Sequence, residues 1–113
     1  EVAGLFRDAG LVTLCTFISP FAAGRAEARR IADGRFLEVW VRAGLETCKQ
    51  RDPKKLYQKA LEGKIRSFTG IDSPYEEPTD AELVLDTEVL SEEECVDRLT
   101  DAILDVLEGG DAL

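Results

Sequence analysis

Apolar positions recur at helical spacing at the start of the chain, where Val2, Leu5 and Phe6 share one face. Gly10 follows as the kind of left-handed stop that ends many helices. The next nine residues, LVTLCTFIS at 11–19, change character. They form an uninterrupted apolar run rich in β-branched residues, which predicts a strand buried on both faces of a parallel sheet, stopped by Pro20. AAGRAEARRIA at 22–32 is alanine-rich with its charges on one side and predicts a helix. RFLEVWVRA at 35–43 predicts a second buried strand, and LETCKQR at 45–51 a short helix. In KKLYQKALEG, Leu56, Ala60 and Leu61 set another helical stripe, with Gly63 as its stop. AELVLDT at 81–87 predicts a third, shorter strand. Ser91 and Glu94 then make a capping-box pair at the head of a helix running to about Leu107, striped by Cys95, Leu99, Ile103 and Leu107.

Strands separated by helices at this spacing predict an α/β fold with a parallel sheet flanked by helices. At 113 residues with 44% hydrophobic content, the chain is sized for one core, so a single domain or part of one is expected. It has no methionine, opens inside a helical pattern, and contains no signal-peptide or membrane-length apolar run, so it reads as part of a longer soluble, cytoplasmic protein. Cys15, Cys48 and Cys95 are odd in number, far apart and set in apolar patterns, which predicts reduced thiols in the core.

Charge narrows the partner. The net charge is −9, but it is unevenly spread: residues 49–66 hold seven cations against Asp52 and Glu62, while residues 67–113 hold one arginine against fifteen acids. One concentrated basic segment on an acidic molecule suits a small anion, not a nucleic acid, and no membrane contact is expected. Histidine is absent, which removes the usual near-neutral general base and the commonest metal ligand; zinc-hydrolase and Ser-His-Asp chemistry fall with it, and no metal-ligating residue is assigned.

Candidate chemistry gathers at two places. Ser19 stands at the carboxyl end of the first predicted strand, where α/β sheets bind ligands; a helix cap is the competing role. The basic segment runs into RSFTGID, where Phe68 offers a stacking face, Gly70 allows close backbone approach and neighbouring amides can cradle an anion. Cations beside an aromatic ring fit a nucleotide. Asp52 and Asp72 are candidates for acid, base or magnesium-linked groups, but among so many carboxylates they read as helix-terminus and turn residues. Gly63-Lys64 is not a P-loop, because Ile65 stands where Ser or Thr is needed and Gln58 replaces the first glycine.

FISPF at 17–21, RDPKKLYQKALEGKIRSFTGIDSPYEEP at 51–78 and AELVLDT at 81–87 together resemble, in order and spacing, the adenylylsulfate kinase (APS kinase) family. The resemblance spans almost the whole chain. It implies a P-loop NTPase-like three-layer sandwich whose first strand and P-loop lie outside these residues, the chain being the C-terminal part of one kinase domain. It also implies transfer of the γ-phosphoryl of ATP, with Mg2+, to the 3′-hydroxyl of adenosine 5′-phosphosulfate (APS), forming PAPS in sulfate assimilation. On that resemblance Phe68 stacks on the sulfonucleotide adenine beside Ser67, Lys54 lies near its anionic groups, and Ile18 and Ser19 contact the same nucleotide. Family descriptions often make that serine a phosphorylated intermediate. Direct in-line transfer with Ser19 orienting substrate is favoured here, since the chain has no histidine to activate a hydroxyl. Arg51 belongs to a lid and Leu90 to a turn, both approaching ATP. The resemblance further implies a homodimer, or fusion to or assembly with ATP sulfurylase.

The chain departs from the family pattern at Arg42 and Gly44, where Asp and Pro are usual, and at Lys55, where Gly is usual. The first two are expected to reshape a strand-to-helix turn and the third to add a cation to the lid. Without a P-loop the segment alone is not expected to catalyse. A regulatory domain of the same fold that binds PAPS without turnover is the competing reading, and a ligand-free α/β interaction module is the blander one.

Overall fold

A computed structural model of the chain describes residues 1–109. The elements are α1 (Val2–Asp8), α2 (Ala22–Ala32), β1 (Val39–Arg42), α3 (Leu45–Arg51), α4 (Leu56–Leu61), β2 (Leu83–Asp86) and α5 (Glu92–Gly109). All five predicted helices form, and their stop signals act as expected. After α1 the Gly10 N–H donates to the Arg7 carbonyl at 2.8 Å and Leu11 N–H to Phe6 at 3.1 Å, a Schellman motif closed by glycine at φ 92°. Gly63 repeats the arrangement after α4, with Gly63 N–H to Ala60 at 3.0 Å and Lys64 N–H to Lys59 at 2.9 Å. The capping box is reciprocal: Glu94 N–H donates to Ser91 Oγ at 3.1 Å, and Ser91 N–H to Glu94 Oε1 at 3.2 Å.

The strands are shorter and fewer than predicted. β1 and β2 pair in parallel, with Val39 opposite Leu83 and Arg42 opposite Asp86. Single bonds extend the ladder at each end, Leu83 N–H to Glu38 at 3.2 Å and Thr87 N–H to Arg42 at 2.9 Å. Each strand ends where its partner does, which trims the predicted spans 35–43 and 81–87. The predicted strand at 11–19 is not formed. A strand requires a neighbour for its backbone groups; β1 and β2 each use one edge on the other, and no hydrogen bond among the described residues joins 11–19 to either free edge. The run stays irregular and exposed, Leu14 and Phe17 at 70% and 83%. Cys15 is therefore an exposed thiol and not a core one, whereas Cys48 and Cys95 are half-buried; all three are free.

Leu85 at 3% exposure, with Ala60, is the buried apolar centre among the described residues, and α5 packs on β2 above it. The Cα radius of gyration is 16.0 Å, against roughly 13 Å for a compact domain of this length. Arg29 of α2 grips Glu82 with two hydrogen bonds of 2.5 and 2.8 Å, joining that helix to the approach of β2. Its guanidinium also sits 4.9 Å over the Phe36 ring.

Leu85→Ala should cost about 2–4 kcal/mol in urea unfolding, because it empties a well-covered site, whereas Val84→Ala, on a half-open face, should cost under about 1 kcal/mol. The hydrogen bonds from Arg29 hold the Glu82 carboxyl below the ordinary glutamate value. A depressed carboxyl stabilises the fold above its unfolded pKa and loses that contribution as pH falls through the folded one. Glu82→Gln should therefore flatten the acid limb of the stability curve and leave the curve's shape unchanged near neutrality, read from melting temperatures across pH.

Candidate functional site

Because the strands are parallel, both carboxyl ends lie on one rim, where open α/β sheets place ligands. A cleft of about 410 Å³ opens there, lined by Val41, Leu85, Arg51, Thr87 and Leu90 among others. Arg51 is fixed in place. Its guanidinium donates to Thr87 Oγ1 at 2.8 Å and to the Thr87 carbonyl at 3.0 Å, and Thr87 Oγ1 in turn donates to the Arg42 carbonyl at 2.8 Å. The Leu90 N–H returns to the Asp86 carbonyl at 2.9 Å, closing the turn after β2. The structure thus brings together Arg51 and Leu90, the two residues expected at ATP.

Glu88 fastens the two turns of this rim to each other. It accepts the Gly44 N–H at 2.8 Å and the Thr47 hydroxyl at 2.5 Å, and lies 3.6 Å from Arg42, which also pairs with Asp86 at 3.0 Å. The Thr47 hydrogen bond, then the Gly44 amide and the nearby arginines, lower the Glu88 pKa. Proline at 44 would have no N–H to give, so the bond from Gly44 to Glu88 needs a residue other than proline there.

A second group forms on α4 and the loop behind it. The Asp52 carboxylate accepts the N–H groups of Tyr57 and Gln58, both at 3.2 Å, and so caps α4, as its helix-terminus reading requires. Between them Lys55 takes φ 55°, a left-handed backbone. Asp72 organises the next turn: it accepts the Ser67 N–H at 2.7 Å and the Phe68 N–H, while the Phe68 carbonyl accepts from Ile71, Asp72 and Ser73. Ser67 is left-handed at φ 53°. At Gly70, φ 87°, the left-handed backbone favours glycine, and a Cβ would sit 3.0 Å from Leu45 Cδ1, which would have to shift by a few tenths of an ångström. Phe68 meets Tyr57 edge to face with centroids 4.8 Å apart. Burial pushes the Tyr57 hydroxyl up, helped by Cys48 beside it. Lys54 and Ser67 are exposed and Phe68 half-exposed. Among the described residues Lys54, Lys55 and Arg66 engage no carboxylate in an ion pair, so their charge is available to an anion.

Ile18 and Ser19 stand apart from that group on the loop before α2, both exposed, Ser19 at φ 45°. No hydrogen bond among the described residues joins them to Lys54, Ser67 or Phe68. Their tie to the long loop is Glu76, whose N–H donates to the Pro20 carbonyl at 2.8 Å and whose Oε1 accepts the Ala22 N–H at 2.8 Å. Ser19 does not cap α2 with its side chain; Glu76 supplies that acceptor from across the fold. Glu76, Glu88, Thr87 and Tyr57 were not singled out from the sequence, since nothing local marks a side chain whose partners are far along the chain. For metals, the described residues gather no group of three or more acidic or cysteine side chains around one point.

Residues 1–86 match the family model described as adenylylsulphate kinase. The chain is 57% identical over 100 residues to a probable adenylyl-sulfate kinase of Halalkalibacterium halodurans, which covers 88% of this chain and 50% of that protein. The chain therefore spans about half the length of the curated relative. Among solved structures, APE1195 superposes with a TM-score of 0.83 at 42% identity, over 93% of this chain and 60% of that one. The Mycobacterium tuberculosis APS kinase CysC, solved in complex with AMPPNP and APS, superposes with a TM-score of 0.77 at 41% identity, over 95% of this chain and 61% of that one. These neighbours carry the P-loop NTPase-like α/β fold expected from the sequence. With the helices, the parallel pair and both loop groups in family order, the chain belongs to the adenylylsulphate kinase family.

Proposed function

We propose that the full-length protein carrying this chain transfers the γ-phosphoryl of ATP to the 3′-hydroxyl of APS, giving PAPS. The observation that carries the reading is the pairing of a half-exposed, braced aromatic, Phe68, with the unpaired cations Lys54, Lys55 and Arg66 on an adjoining segment. In a chain of this family, whose solved neighbour binds APS and AMPPNP, that pairing is built for an adenine nucleotide bearing extra anionic groups. Phe68 stacks on the sulfonucleotide base with Ser67 beside it, and Lys54 faces its anionic groups. Ile18 and Ser19 touch the same nucleotide. Arg51 and Leu90 border the separate cleft for ATP.

Phosphoryl transfer depends on positioning and charge stabilisation more than on covalent chemistry. Ser19 accordingly orients substrate for in-line attack, and no histidine exists in these residues to activate it as a nucleophile. The 113 residues contain no G-x-x-x-x-G-K-[ST] motif for the ATP phosphates. This chain thus contributes the sulfonucleotide side and the ATP-base side of the site.

The test is ATP-dependent conversion of APS to PAPS by the full-length protein, run beside the 113-residue chain. Turnover by the first and not the second is expected. If neither turns over while PAPS still binds the full-length protein, the domain is a regulator with its pocket intact. Phe68→Ala should weaken sulfonucleotide binding by about 1–3 kcal/mol, and unchanged affinity would remove the stacking role. Lys54→Ala should cost affinity that shrinks as salt rises, with circular dichroism unchanged.

A further inference from the structure

Three arginines of α2, Arg25, Arg29 and Arg30, border a cleft of about 570 Å³ with Glu38 and Glu76. The cleft looks like an anion site, but its cations are already committed. Arg29 is held by Glu82 and Arg30 by Glu27. Arg25 is the most engaged of the three: its side chain is only 11% exposed, and it contacts three separate stretches of chain. Its Nη1 donates to the Ser19 carbonyl at 2.6 Å, its Nη2 donates to the Glu76 carbonyl at 2.7 Å, and its Nε lies 3.5 Å from Glu38 Oε1.

We propose that Arg25 is a positioning residue for Ser19, tying the Ser19 backbone to the loop that follows Phe68; this rests on the sulfonucleotide reading given above. Ser19 holds a left-handed backbone at φ 45°, a conformation that an L-residue keeps only where its surroundings impose it. The imposing contacts are on both sides of its following peptide. The Ser19 carbonyl is taken by Arg25 and the Pro20 carbonyl by the Glu76 N–H at 2.8 Å, while the Glu76 carboxylate holds the Ala22 N–H. Arg25 also grips the Glu76 carbonyl, so one guanidinium fixes the serine loop and the element that restrains it. The three contacts use three different nitrogens held in one plane, a span that the single ammonium nitrogen of lysine does not cover. Arg25 touches no substrate in this reading. It sets the backbone from which the Ser19 hydroxyl meets the sulfonucleotide.

The experiment compares Ser19→Ala, Arg25→Ala, Arg25→Lys and the double variant Ser19→Ala/Arg25→Ala in the full-length protein. It uses initial rates at varied APS and varied ATP, with equilibrium titration of PAPS on the same samples. Arg25→Ala should lower kcat/KM for APS about tenfold or more, leave the KM for ATP within about twofold, and weaken PAPS binding. Arg25→Lys should fall between the two. The double variant should be no worse than the more damaged single one, because Arg25 acts only through the placement of the Ser19 hydroxyl, which Ser19→Ala removes outright. If the losses multiply, or if ATP and APS suffer equally with a matching fall in Tm, Arg25 is a fold residue and the inference is overturned. Should Arg25→Ala fail to fold, Arg25→Lys carries the same comparison. An effect of Ser19→Ala without one from Arg25 overturns this inference alone. No effect of Ser19→Ala on turnover or PAPS binding overturns the Ser19 reading, and this inference with it.

Discussion

Four residues of parallel ladder, Val39–Arg42 against Leu83–Asp86, fix the position of the rim on which Arg51 and Leu90 meet. Parallel pairing forces both chains to leave the sheet at the same rim, so the turn into α3 and the turn into α5 become neighbours though more than forty residues separate them. Once adjacent, they are fastened by Glu88 and by the contacts of Arg51 with Thr87. The register matters as much as the direction. A slip of one residue would exchange Leu85 for an exposed neighbour and carry Asp86 away from Arg42.

How much of this could be read in advance follows the range of each interaction. The helices were legible because their signals are local: the glycine stops of α1 and α4 close Schellman motifs, and Ser91 and Glu94 reach each other across one turn. Asp52 and Asp72 were legible for the same reason, as each caps amides within six residues of itself. The run at 11–19 looked like the best strand in the chain and is none, because a strand is a property of two segments and hydrophobic content does not supply the second. Arg25 and Glu76 were not legible, since their partners lie as far as 54 residues away.

Among the candidate residues the same rule divides the set. Ser67 and Phe68 belong together through the local Asp72 turn, and motif resemblance found them as a unit. Arg51 and Leu90 share a cleft only because the ladder brings α3 to the turn after β2. Lys55 is instructive in a different way: it occupies a position where the family resemblance leads one to expect glycine, and its backbone remains in the region glycine favours. The backbone entering α4 is thus one that glycine would adopt freely, and the side chain standing there is a cation.

The uncovered stretch from Leu11 to Ser19 bears on how the 113-residue chain behaves in a test tube. It is nine residues long without a single charge or proline, rich in β-branched side chains, and its backbone groups are not taken up by a sheet. Such a segment is a template for edge-to-edge pairing between copies. What opposes that pairing is the net charge of −9, which acts over distances set by the ionic atmosphere. Colloidal behaviour therefore hangs on buffer composition: dilute electrolyte keeps the molecules apart, and concentrated electrolyte removes the repulsion while leaving the sticky stretch as it was.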